Sequence, residues 1–241
     1  MKHRLGTALK WPATAIGFTM GAYAAYVGAA WLRYGHPCPP VTSTNRDTML
    51  DRFMPEYEVA ERHRIHVAAP AEITFQAACE ADLMQSSTIR TIFKVRELIL
   101  GGQPDKAEHP SGLLEFTRSQ GWAKLAEIPG REIVMGTVTQ PWAANVIFRN
   151  LSPDQFIEFN EPEYVKIVWN LRADSTTSQE TDFRTETRVI TTDRIARAKF
   201  RRYWSFFSPG IVLIRLLLLR QLRTEAERRA HGNAVIHGKA L

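Results

Sequence analysis

The chain has 241 residues, 44% of them hydrophobic and 23% charged; this is enough apolar material for one core of ordinary size plus an extra segment, and it excludes a chain disordered over most of its length. The formal charge is +6 and the pI about 9.5, with the excess at one end: between Arg194 and Arg229, nine arginines and Lys199 stand against Glu225 and Glu227, and the remainder is slightly acidic. Such basicity fits an anionic partner but does not specify a fold.

Lys2, Arg4 and Lys10 form a basic tail over residues 1–10, followed by WPATAIGFTMGAYAAYVGAAW, Trp11 to Trp31, an uncharged run bracketed by tryptophans. A helix of this length crosses roughly 30 Å of hydrocarbon, and aromatic ends suit the interfacial belts of a span. Residues 11–32 are therefore expected to be a single transmembrane anchor; AYA at Ala22 to Ala24 leaves a cleaved signal peptide as the competing reading. Basic residues ahead of the run outnumber Arg33 and Arg46 just behind it, which puts the domain on the extracytoplasmic side. Gly17 and Gly21 have the small-xxx-small spacing that lets two helices approach, leaving a homodimer through this face open.

GHPCPPVTSTN, rich in Pro, Ser and Thr, marks residues 33–56 as a linker. No lipobox precedes Cys38. Cys38 and Cys79 lack CxxC spacing and companion histidines, so no metal site is expected; Cys79 reads as a small buried hydrophobe, and a disulfide between the two is unforced.

From Tyr57 the pattern is that of an α+β domain over residues 57–230. EYEVAERHRIHV sets Val59, Glu61, His63, Ile65 and Val67 against Ala60, Arg62, Arg64 and His66, the period of two of a strand. Pro70 opens a helix carrying Ile73, Phe75, Ala77 and Ala78, and a second helix in SSTIRTIFKVRELIL stops at Gly101-Gly102. GWAKLAEIPGREIVMGTVTQPW reads as two strands turning at Pro129-Gly130. EYVKIVWNLRA puts Val165, Ile167, Trp169 and Leu171 on one face, and ETDFRTETRVITT is a further strand.

In the terminal segment, Ala196, Phe200, Tyr203, Phe207, Ile211, Ile214, Leu218 and Leu222 recur at helical spacing as one stripe, with Arg194, Arg197 and Arg201 to another side. Arg215 and Arg220 interrupt the apolar run well short of the roughly 20 residues a span requires, so the reading is a domain helix, bent at Pro209, with a flexible tail over residues 231–241. Strand, two helices, antiparallel strands and a long terminal helix is the order of a helix-grip fold, a curved sheet wrapped around its last helix.

The segments ERHRIHVAAPAEITFQA, LAEIPGREIVMGTV and TETRVITTDRIARAKFRRYWSFFSPGIVLIR resemble the START-like, or SRPBCC, superfamily of polyketide cyclase/dehydrase and lipid-transport proteins, in particular a bacterial subfamily, over about Tyr57 to Arg229. The resemblance implies a helix-grip fold with a hydrophobic cavity and no single reaction. Nucleophile elbows, P-loops and dinucleotide fingerprints are absent from the sequence, and no cofactor and no nucleic-acid partner are expected. Trp142, Trp169, Tyr203, Trp204 and Phe207 are candidate lining residues. Glu186 and Arg188, two apart on one strand face, are either a polar pair inside the cavity or an exposed ion pair. The leading expectation is a membrane-anchored protein that binds a hydrophobic small molecule or lipid. The alternatives are a cyclase or dehydratase-like enzyme using Glu186, Arg188 and His63 together, and an envelope interaction module without ligand.

Overall fold

A computed structural model describes residues 10–34, 46–102 and 110–238, without side chains for 10–18 and 233–238. Lys2, Arg4, Cys38 and the Pro/Ser/Thr-rich stretch before Asn45 lie outside the described residues, as do the surroundings of Trp11 and Gly17.

Helix α1 (Lys10–Arg33) covers the expected anchor. Helix α2 (Thr48–Phe53) corrects the expected linker. Asp47 caps it, accepting from the Leu50 amide at 2.9 Å, and Leu50, Phe53 and Met54 are buried against Val134, Val138, Phe156 and Val168. Burying each large apolar side chain is worth about 1.5–3 kcal/mol, so residues 47–54 belong to the domain.

Strand β1 (Val59–Val67) leads through Pro70 into α3 (Ala71–Glu80), as expected. A short 3₁₀ turn precedes α4 (Ser87–Leu100), which ends where Gly101 takes up a left-handed conformation (φ 71°). Helix α5 (Leu113–Ser119) then precedes the hairpin of β2 (Ala123–Ile128) and β3 (Glu132–Thr139), joined at Pro129-Gly130. Helix α6 (Pro153–Glu158), held by a Ser152–Gln155 capping box, comes before β4 (Val165–Thr177), β5 (Glu180–Thr191) and the terminal helix α7 (Arg194–Gly238). The backbone of α7 therefore continues past Ala230 into the expected tail.

The strands form one antiparallel five-stranded sheet in the order β1–β5–β4–β3–β2. On its inner face, Val67, Met135, Trp169, Leu171 and Phe183 pack on Phe75, Ala77 and Ala78 of α3 and on Leu219, Leu222 and Ala226 of α7. Val59, Val165 and Val189 meet Phe200 and Trp204 of α7. The sheet thus grips its last helix, as a helix-grip fold requires. Helices α2 and α6 cover part of the outer face, which is why every residue of β3 is buried and no alternation survives there.

Helix α7 departs from expectation in three respects. Its buried stripe is centred on Ala196, Phe200, Trp204, Leu219, Leu222 and Ala226, with Tyr203 and Phe207 on the flank. It runs through Pro209 without interruption; the proline's missing N–H leaves only one helical bond unmade. By length and composition it is also the one helix among the described residues apolar enough to cross a membrane, and Arg215, taken as an interruption, turns inward. Its packed inner face makes it a domain helix nonetheless.

Candidate functional site

On the inner face, β1 presents Glu61 and His63 and β5 presents Thr185 and Thr187. These positions follow from the pleat, which sends alternate residues of each strand toward α7. Arg215 lies between Ile211 and Leu218 at helical spacing, so the turn of α7 aims it at the same spot. Its guanidinium donates to the Thr185 hydroxyl at 3.2 Å and to the Thr187 hydroxyl. No ion pair to Arg215 is found among the described residues. Enclosure pulls its pKa down to about 10, against the opposing field of Glu61.

The Nε2 of His63 lies 4.0 Å from a Glu61 carboxylate oxygen and has no hydrogen-bond partner. Burial first, and then the positive field of Arg215, hold the His63 pKa below its ordinary value. Tyr34 closes the site beyond α1: its hydroxyl donates to Glu61 at 3.1 Å, and its ring meets Trp204 edge-on at 5.8 Å. The buried Nε1 of Trp204 faces the Tyr34 hydroxyl, outside good hydrogen-bond geometry. The Arg215 guanidinium and the His63 imidazole thus lie within each other's field on the inner face of the sheet, with hydrogen-bonding capacity unused on both.

The outer face is organised differently. Arg188, 1% exposed, donates to Glu186 at 2.7 Å, to Asp51 at 2.6 Å and to the Met54 carbonyl at 2.9 Å, and its guanidinium lies 4.7 Å from the Tyr57 ring centre. Arg62 reaches the same Glu186 oxygen at 2.9 Å. Nearby, the Asn170 amide donates to Asp47 at 2.8 Å and to Glu132 at 2.9 Å. Burial, with the negative field of Asp47, pushes the Glu132 carboxyl up to about 7. A cavity of about 130 Å³ beside this network, at the β1 edge of the sheet, is bordered by Arg46, Arg62, Arg172, Arg184, Glu186 and also His63 among others; its arginines are paired to carboxylates. Glu186 and Arg188 therefore fasten α2 to the sheet. They are neither an exposed pair nor part of the helix-facing interior; His63 borders the same cavity as Glu186, but the pleat sends their side chains to opposite faces and Arg188 is engaged elsewhere, so the expected Glu186, Arg188 and His63 constellation does not assemble.

The aromatic candidates divide among neighbouring positions. Trp204 packs with Val59, Val165, Val189, Phe200 and Tyr34, whereas Trp169 belongs to the separate cluster around Phe183 and lies 6.2 Å from Trp122. Trp142 is half-buried beneath Lys199. Tyr203 and Phe207 stack at 4.9 Å on the flank facing α4, where Arg96 donates to the Tyr203 hydroxyl at 3.2 Å. Cys79 is a half-buried free thiol pushed up to about 12 by burial, hence poorly nucleophilic. Among the described residues no cluster of His, Cys, Asp and Glu could hold a metal ion. Arg215, Thr185, Thr187 and Glu61 were the residues missed; the spacing Ile211, Arg215, Leu218, Leu222 was the signal that put a charge on the buried stripe.

No family model matches the chain, and no curated protein matches it in sequence. Solved structures similar to it include protein CV1439 of Chromobacterium violaceum, 14% identical over 70% of this chain and 96% of that one with a TM-score of 0.30. The hypothetical protein jhp0584 of Helicobacter pylori is 8% identical over 77% of this chain and 99% of that one, TM-score 0.38. The Streptomyces aromatase/cyclase ZhuI is 14% identical over 71% of this chain and 94% of that one, TM-score 0.25. At such scores the likeness has no bearing on function.

Proposed function

We propose that this is a membrane-anchored binding protein that holds a hydrophobic small molecule or lipid between sheet and gripping helix, with the ligand's polar end at Arg215. The observation that carries the reading is the enclosed guanidinium hydrogen-bonded only to two threonine hydroxyls, with the Glu61 carboxylate acting on it through its field and not through an ion pair, beside the unpartnered Nε2 of His63. A structural cation in an apolar interior is ordinarily matched by a carboxylate, because an unmatched one is costly to bury. A guest carrying an acceptor oxygen would supply the match. The anchor in this reading is the uncharged run of α1, and the domain sits beside the bilayer that supplies its ligand.

The test is to purify the full chain in mild detergent, extract it with organic solvent and identify co-purifying molecules by mass spectrometry, in parallel with Arg215→Met. A molecule enriched with the natural chain and depleted at least about tenfold with Arg215→Met is expected, the equivalent of roughly 1.4 kcal/mol. Equal extracts from both proteins, with no thermal shift on adding fatty acids or phospholipids, would sink the reading.

A further inference from the structure

Helix α7 carries a second stripe opposite its buried one. Arg202, Phe206, Pro209, Leu213, Leu216 and Arg220 follow at steps of four, three, four, three and four, so they share a face. Phe206 is 47%, Leu213 42% and Leu216 46% exposed. Arg202 and Arg220, both exposed, make no ion pair among the described residues and stand about 27 Å apart at 1.5 Å per residue. Two helices flank the stripe. Helix α4, whose Ile92 sits against Gly210, fully buries only Ile89 and leaves Leu98 82% exposed along with Val95 and Ile99. On the other side, Tyr23 of α1 donates to the Phe206 carbonyl and Tyr26 shares a hydrogen bond with Ser208 at 3.0 Å.

We infer that the α4–α7 face is a bilayer-docking surface, lying on anionic lipid beside the anchor. Three observations favour lipid as the occupant. The apolar stripe is terminated at both ends by arginines, whose long stems bury while their heads reach phosphate groups. A second copy of α7 laid on the stripe, antiparallel or parallel, would bring arginines against arginines, which costs rather than stabilises. The stripe is also continuous with α1: a membrane that takes α1 takes the flank of the helix to which α1 is bonded. The inference rests on the anchor reading to that extent. It also places the outer side of α7, the helix that carries Arg215 on its inner side, next to lipid.

The experiment uses the full chain with Cys38→Ser and Cys79→Ser, reconstituted in vesicles of equal parts phosphatidylcholine and phosphatidylglycerol. Single spin labels go at L213C, L98C and, as a control on the outer-face helix α6, I157C. Flotation of the vesicles after an alkaline carbonate wash, which strips a surface-docked protein but not a spanning helix, reports the anchor independently. The labels at 213 and 98 are expected to be several-fold more accessible to oxygen than to a nickel chelate, with the reverse at 157. Nickel accessibility at 213 and 98 equal to that at 157, in protein that floats, overturns the docking surface and leaves the anchor standing; protein that does not float overturns both. Protection from both reagents means that protein covers the face, and also overturns it. Adding Arg202→Ser and Arg220→Ser is expected to weaken nickel protection at 213; unchanged protection would overturn the role given to anionic lipid.

Discussion

Thr187 and Arg188 are consecutive residues of β5, and the charges they engage lie on opposite faces of one sheet. Outside, Arg188 meets two carboxylates, a carbonyl and an aromatic ring; inside, Arg215 meets two hydroxyls. The outer cation is matched within the chain and ties a short helix to the sheet, a structural use of charge. The inner one keeps bonding capacity in reserve, which is what the proposed binding role requires and a fastening does not. Burial alone does not separate the two cases; the identity of the partners does.

The comparison is broken most severely at Arg188. Arg188→Ala leaves Glu186 and Asp51 without their shared cation and frees α2, and a loss of about 3–5 kcal/mol is expected in urea unfolding; a loss under about 1 kcal/mol would mean that α2 is not fastened there. A smaller effect belongs to Glu132. Its folded pKa, about 7, lies above the ordinary 4.5, so the folded protein binds this proton more tightly than the unfolded chain does. The corresponding stability is complete below about 4.5 and is lost as pH rises through about 7. Glu132→Gln should flatten that decline, read as unfolding midpoints across the same pH window. The smallest effect is expected inside. Arg215→Met replaces a cation that has no direct ion pair by an apolar side chain of similar length, and stability should hold or rise by about 1 kcal/mol while ligand is lost. Opposite signs for Arg188→Ala and Arg215→Met would sharpen the contrast; equal losses would make Arg215 another fastening.

Much of the sheet was legible because period-two patterning is a local property: the faces read from Val165, Ile167, Trp169 and Leu171 and from Val59, Ile65 and Val67 are those seen. What covers each face is not local. Asn170, Glu186 and Arg188 alternate like solvated residues, yet they are buried beneath a helix that begins near Asp47, in a stretch whose charges and brevity concealed its apolar Leu50, Phe53 and Met54. In α7, the apolar residues outnumber one buried face, so the sequence stripe through Tyr203 and Phe207 was displaced from the true one through Trp204. Arg215 could have been placed by its spacing, but its hydroxyl partners lie on another element about 30 residues earlier, and only the fold brings them together.

The pairing of β1 with β5 sets a schedule for synthesis. Val59 finds its partner at Val189, about 130 residues later, which at 5–20 residues per second is a wait on the order of ten seconds. Throughout that interval the first strand has one edge without its mate and the gripping helix does not yet exist, whereas α1 has long since left the ribosome. A nascent chain tethered early would complete its sheet beside the membrane rather than in open solution, and the apolar faces exposed while it waits would have lipid rather than other unfinished chains as their nearest neighbour.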